Sequence, residues 1–272
     1  MTRDLNITYT KSALLAQLAD LQLPQNGVVL VHSSLRLIGR VEGGGETVLN
    51  ALIEHFTADG GLLCIPTHTW GNLGKEITLD VADPTTCLGA LSNLAAADPR
   101  GIRSENPTHS MMVFGDRTRS LEFVDNEIHV ASGTAPESCY GKLYRAGGHI
   151  LLVGVSHSRN TYLHCVEEML GTSNRLTAEP RDVAVRRASG EVVRRCIYCH
   201  HTDFTNDISM RFPKYETAFR YHGGITDGFL GNAPVQACDA VVMKQTMEII
   251  LRNCEGTDPL ANEMAFPPKL YC

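Results

Sequence analysis

The sequence has no run of basic residues: its 24 Lys+Arg are scattered and outnumbered by 30 Asp+Glu, for a formal net charge of −6. This distribution argues against nucleic acid as a partner. A mildly acidic surface instead suits a cationic small molecule, such as a polyamine or an amino sugar. No stretch approaches the ~18 consecutive apolar residues of a membrane span. The N-terminal MTRDLNITYTKSALLAQLADL also lacks the uninterrupted apolar core of a signal peptide. The expectation is a cytoplasmic protein with no membrane contact. Internal repeats, low-complexity tracts and Ser/Gly linkers are absent as well, so a single domain over residues 1–272 is expected. The nine cysteines are odd in number and spread along the whole chain, which fits reduced thiols, with some available to bind a metal, better than a disulfide framework. What remains is an ordinary globular mix, 43% hydrophobic and 20% charged, sufficient for one packed α/β core.

Periodicity supplies the elements. Leu14, Leu15, Leu18 and Leu21 recur at helical spacing behind Thr10, a plausible N-cap, and Pro24 follows. VVLVHSS, GGLLCIPTHTW, the MMVFG of RSENPTHSMMVFG and GGHILLVGV read as buried strands. GGGETVLNALIEHF, Leu88 to Ala97, SRNTYLHCVEEML and Ala240 to Arg252 read as helices, SCYGKLYR as a turn or short helix, and ASGE near Gly190 as a hairpin. The alternation predicts an α/β fold with a central sheet flanked by helices.

Four constellations bear chemistry. The strand ending in His32, Ser33 and Ser34, followed by glycines and a helix, offers either an anion cradle or a plain turn. It matches neither the P-loop nor the dinucleotide fingerprint. His164 and Glu167 lie three apart on a predicted helix and share a face, as a base with its orienting carboxylate or as a surface pair. Cys196, Cys199, His200 and His201 crowd into CIYCHHTDF, which with the terminal Cys272 makes either a zinc site or a set of buried thiols. Turn residues His68, Trp70, Asn106, His109 and His129 are structural or functional by turns, and Asp80 and Asp83 have the charge to hold an amine.

Taken in order, VHSSLRLIG with GGGETVLNAL, LLCIPTHTW, RSENPTHS, SCYGKL with GGHILLVGV, and NTYLHCVEE resemble the aminoglycoside 3-N-acetyltransferase family over roughly residues 10 to 170. The resemblance implies one α/β domain, acetyl-coenzyme A as donor and an amino-sugar amine as acceptor. It places His164 as general base and Glu167 as the acidic residue of the same motif. The segments that line the coenzyme pocket correspond to His32, Ser33, Ser34, Leu35, Ser104, Tyr140, Gly141 and Lys142. Trp70, Asp80 and Asp83 are candidates on the acceptor side. Where the family carries acidic residues that orient the histidine and hold the amine, this chain has Cys196 and Tyr198. The Cys/His-rich segment and PPKLYC echo relatives in which Cys199, His200, His201 and Cys272 would hold zinc.

The expected chemistry is direct transfer in a ternary complex. Three rivals stand beside it: an acyl-enzyme on Cys196 or Cys165, a coenzyme-binding, zinc-stabilised scaffold without turnover, and a zinc hydrolase. The acceptor can be an antibiotic or another small-molecule amine, and the oligomeric state is open, a homodimer included.

Overall fold

The computed structural model describes residues 7–200 and 207–272. In chain order it begins with β1 (Thr8–Tyr9), α1 (Lys11–Asp20), β2 (Val28–Ser33), α2 (Leu35–Ile38), β3 (Arg40–Val41), α3 (Gly44–Thr57) and β4 (Leu62–Pro66). There follow β5 (Leu79–Asp80), α4 (Ala90–Ala97), β6 (Ile102–Arg103), β7 (Met111–Phe114), α5 (Arg117–Val124), α6 (Cys139–Arg145), β8 (His149–Val153) and α7 (Tyr162–Met169). The chain ends through β9 (Arg181–Arg186), β10 (Val192–Ile197), α8 (Glu216–Tyr221), β11 (Ile225–Leu230), β12 (Ala233–Asp239) and α9 (Ala240–Asn253).

A seven-stranded sheet in the order β11-β12-β8-β2-β4-β7-β6 forms the centre. Its middle strands β8, β2 and β4 are parallel, and the strands outside them are antiparallel. The apolar runs of β2, β4 and β8 have no polar alternation because both faces of the sheet are covered. Val28, Leu30, Cys64, Ile150 and Leu152 face α6, α7 and α9, while Val29, Val31, Leu63, Leu151 and Val153 face α1 and α3. The pleat divides each strand between the two cores.

Local signals set the helix ends. Thr10 Oγ1 accepts from the Ala13 N–H at 3.2 Å, and Asp239 accepts from Val241 and Val242 at the start of α9. Thr10→Ala should lower the unfolding free energy by about 1 kcal/mol in urea denaturation, with an unchanged denaturant slope. Gly43 and Gly44, at φ +73° and +66°, supply the left-handed turn into α3.

Two features depart from the periodicity. The β11–β12 hairpin contains Pro234, which a strand pattern discourages, but Pro234 lies one residue before the β8 register begins at Val235. The β9–β10 hairpin forms as expected, and also pairs with β5 in a separate three-stranded sheet, order β10-β9-β5. No helix among the described residues is long and apolar enough to cross a membrane.

Candidate active site

A cavity of about 720 Å³ opens where the parallel strands β2, β4 and β8 end. In an α/β sheet this is where ligands bind, because loops diverge there around exposed strand ends. His32 and Ser33 leave β2, and His68 and Trp70 follow β4. His164 comes from α7 and His200 from the segment after β10, and all six line the cavity.

α7 carries the central pair. Its Leu163 and Val166 pack into the core, so Glu167 on the same helix is buried and His164 nearly so, with side-chain exposures of 2% and 12%. The surface-pair reading therefore fails. His164 Nδ1 and Glu167 Oε2 face each other at 3.9 Å, and neither atom has a hydrogen-bond partner. Burial, then His200, His109 and Arg175, hold His164 well below the usual imidazole range, so it is neutral at physiological pH. Burial pushes the Glu167 carboxyl up to about 7, against the pull of Arg175, whose Nε donates to Oε1 at 2.6 Å.

Beside this pair lies a second oriented imidazole. Glu168 accepts from Ser132 and Thr134, each at 2.6 Å. Thr134 Oγ1, its proton committed to Glu168, accepts from His200 Nε2 at 2.6 Å. The His200 ring lies 4.2 Å from the His164 ring, and His109 and His68 continue the wall behind it. His109 is set by the turn that Asn106 builds: Asn106 Oδ1 accepts from the Thr108 and His109 N–H groups, and its Nδ2 donates to Gly133 and to buried Glu127. Thr134, Arg175 and Asp258 escaped the sequence reading, since none stands at a periodic or motif position; Glu168 closes the NTYLHCVEE motif but was passed over beside Glu167.

Other expected residues sit elsewhere. Ser34 and Leu35 turn from β2 into α2, the Ser34 N–H bonded to Val153 O at 2.9 Å. The Ser104 hydroxyl is fully buried and accepts from the Met111 N–H, tying β6 to β7. Tyr140 is likewise buried and bonds His68 Nε2 at 2.7 Å from behind the wall. Gly141 is a packing position, where a Cβ would lie 1.8 Å from Pro136 O. Lys142 Nζ donates to Phe123 O and Asp125 O. None of these six lines the cavity.

The acidic candidates are corrected in the same way. Asp80 pairs with Arg186 at 2.9 Å, and Asp83 accepts from the Thr85 N–H at 2.8 Å, which holds its carboxyl below the usual range. Both are spent on β5 and its turn and do not reach the cavity. Cys196 and Tyr198 also point away. Burial alternates along the end of β10 and the extended segment after it, with Ile197 and Cys199 buried and these two exposed, and the Cys196 thiol donates to Asp182 at 3.1 Å.

Among the described residues the expected zinc ligands Cys199, His200 and Cys272 do not assemble. Cys199 packs with Val183 and Ile197, His200 is engaged by Thr134, and Cys272 ends the C-terminal turn beyond Pro268–Leu270, against α9. Among the described residues no group of three or more His, Cys, Asp or Glu could hold a metal ion. His201 lies outside the described residues.

A ligand-sized cavity at parallel strand ends, walled by histidines with a carboxylate behind one of them, makes this an α/β protein with a candidate small-molecule site. The family model for aminoglycoside 3-N-acetyltransferase matches residues 30–252, and the chain belongs to that family. It is 30% identical over 162 residues to aminoglycoside N(3)-acetyltransferase IV of Salmonella sp, covering 59% of each chain. The chain spans about three fifths of the length of the curated relatives it matches. Among solved structures, the apoenzyme of aminoglycoside acetyltransferase AAC(3)-IVa superposes with a TM-score of 0.76 at 26% identity, covering 99% of this chain and 96% of that one. A binary structure of AAC-IIIb with CoASH gives a TM-score of 0.74 at 23% identity, covering 93% and 99%.

Proposed function

We propose that the protein, acting as one domain over residues 1–272, transfers the acetyl group of acetyl-CoA to an amino group of an aminoglycoside-type amino sugar. His164 is the general base. The observation that carries this reading is His164 itself, a neutral imidazole on the cavity wall with a buried carboxylate facing its Nδ1. Family membership supports the donor and the acceptor class, and the binary structure of AAC-IIIb with CoASH is in keeping with coenzyme A as donor.

In this reading the ring proton sits on Nδ1, toward Glu167 at 3.9 Å, and Nε2 is the base. An amine that loses its proton to Nε2 attacks the thioester carbonyl carbon. The C–N bond forms, the tetrahedral oxyanion collapses with cleavage of the C–S bond, and the leaving sulfur takes back the proton from His164. Backbone N–H groups around the thioester would stabilise the oxyanion. An imidazolium in this buried position is costly, and the Glu167 carboxylate offsets that cost as the 3.9 Å gap closes. A reaction that consumes acetyl-CoA suits a cytoplasmic protein.

An acyl-enzyme has less support. Cys165 is fully buried, its thiol pushed far up by burial and directed to Ala135 O, and Cys196 faces Asp182 outside the cavity. Cys196→Ala should keep kcat within about twofold of wild type, and quenched-flow traces should show no thiol burst ahead of turnover.

One observation favours a variant of this reading. Among the described residues that line the cavity, Asp207 is the one carboxylate, which suits an amine with fewer positive charges than a typical aminoglycoside. Thiol release from acetyl-CoA, measured against aminoglycosides, polyamines and monoamino sugars with wild type and His164→Gln, decides. Release that needs both an amine and His164 sustains the proposal and shows which amines are accepted. Release unaffected by His164→Gln overturns the base assignment.

A further inference from the structure

The pair His164 and Glu167 is the inner end of a longer chain of contacts. Arg175 donates from Nε to Glu167 Oε1 at 2.6 Å. Its two terminal nitrogens form a fork on Asp258, with Nη1 to Oδ2 at 2.9 Å and Nη2 to Oδ1 at 2.7 Å. Arg175 is almost as buried as Glu167, at 4% side-chain exposure against 2%, while Asp258 sits at the rim with 35%. Burial alone would lower the Arg175 pKa, but Asp258 and Glu167 outweigh it and the net shift is upward. The guanidinium is therefore a fixed cation between two carboxylates.

Such a fork sets direction as well as charge. A carboxylate held by one linear donor can still turn about its own bond. The planar guanidinium, clamped on its far side by Asp258, fixes the plane in which Nε approaches Oε1. The other oxygen, Oε2, is thereby left unpartnered and turned toward His164 Nδ1. Asp258 is itself anchored: its Oδ1 accepts from the Leu260 N–H at 2.9 Å, and Leu260 is fully buried. Arg211 donates to Leu260 O and Lys214 to Pro259 O, which fastens this C-terminal segment against the segment before α8. The charged and titratable groups facing Glu167 are His164 and Glu168 from α7, Arg175 from the following loop, Tyr215 from the segment before α8, and Asp258 from the C-terminal segment.

We propose that Arg175 and Asp258 are positioning residues that hold the free oxygen of Glu167 on His164 Nδ1, so that docking of the C-terminal segment is a condition for a competent base. This rests on His164 being the base of the transfer reaction. The arrangement makes residue 258, remote from the reacting atoms, a determinant of kcat rather than of coenzyme binding.

The test is a double-mutant cycle. Asp258→Asn and Asp258→Glu are made in the wild-type and Glu167→Gln backgrounds, and kcat, KM for acetyl-CoA and melting temperature are measured for each. In the wild-type background Asp258→Asn should lower kcat about tenfold with KM for acetyl-CoA unchanged, and Asp258→Glu should recover most of the loss. In the Glu167→Gln background Asp258→Asn should cost less than about twofold, because the residue it acts through is gone. An equal loss in both backgrounds, or no loss in either, overturns the proposal. Nitrogen-15 NMR of the histidine rings, with the His164 signals assigned from His164→Gln, reads the same relation without turnover. Asp258→Asn and Glu167→Gln should shift the His164 Nδ1 resonance in the same direction, and an unmoved resonance in Asp258→Asn overturns the proposal. A wild type that acetylates no amine would overturn the acetyltransferase reading, while the NMR comparison would still decide whether Arg175 and Asp258 position Glu167.

Discussion

His164→Gln should lower kcat by about 10²–10⁴-fold, the range that general-base assistance supplies. Glutamine keeps much of the volume packed against Phe212 and His200, so the fold should persist and coenzyme binding should change little. Steady-state kinetics with circular dichroism on the same samples checks both halves. The wild-type pH profile carries a further expectation. His164 is held well below the usual imidazole range, so its own protonation does not limit activity near neutrality. Glu167, pushed up to about 7, must be ionised to stabilise the imidazolium, so kcat/KM should fall as pH drops through that value. In Glu167→Gln that limb should vanish. A limb that persists unchanged in Glu167→Gln would assign it to another group.

The second large effect is on stability. Gly141→Ala would place a methyl group 1.8 Å from Pro136 O and 2.6 Å from its carbonyl carbon. Both are backbone atoms that cannot rotate away, so the 131–138 turn must shift. That turn carries Ser132 and Thr134, the partners of Glu168, and Ser138, whose hydroxyl accepts from the Tyr140 N–H at the start of α6. A loss of about 3 kcal/mol is expected in urea unfolding. The alternative expectation, in which Gly141 touches the coenzyme, predicts a raised KM for acetyl-CoA at unchanged stability. The two outcomes are separable on one purified variant.

Legibility followed the range of the interaction. Thr10, the leucine spacing of α1 and the uninterrupted apolar runs of β2, β4 and β8 were readable because caps, periodicity and two-sided burial act over a few residues. The β11–β12 hairpin was not, because Pro234 breaks a strand pattern that the β8 register in fact tolerates. Cys196 and Tyr198 were read as pocket residues from their place in a motif, but the alternation at and just beyond the end of β10 leaves both exposed. Asp80 and Asp83 were chosen for their charge, which the fold commits to Arg186 and to the Thr85 N–H.

The amino-acid sequence by itself determined the fold class, the family and the His164–Glu167 pair, because each is written in local periodicity or in closely spaced motifs. Only the tertiary structure decided that this pair is buried, that His200 and His109 join it on one cavity wall, and that Arg175 links it to Asp258 across 83 residues of chain. The physical reason is that burial and side-chain convergence are properties of the packed sheet and its loops. No local pattern records which distant charge will meet a given carboxylate when the core closes.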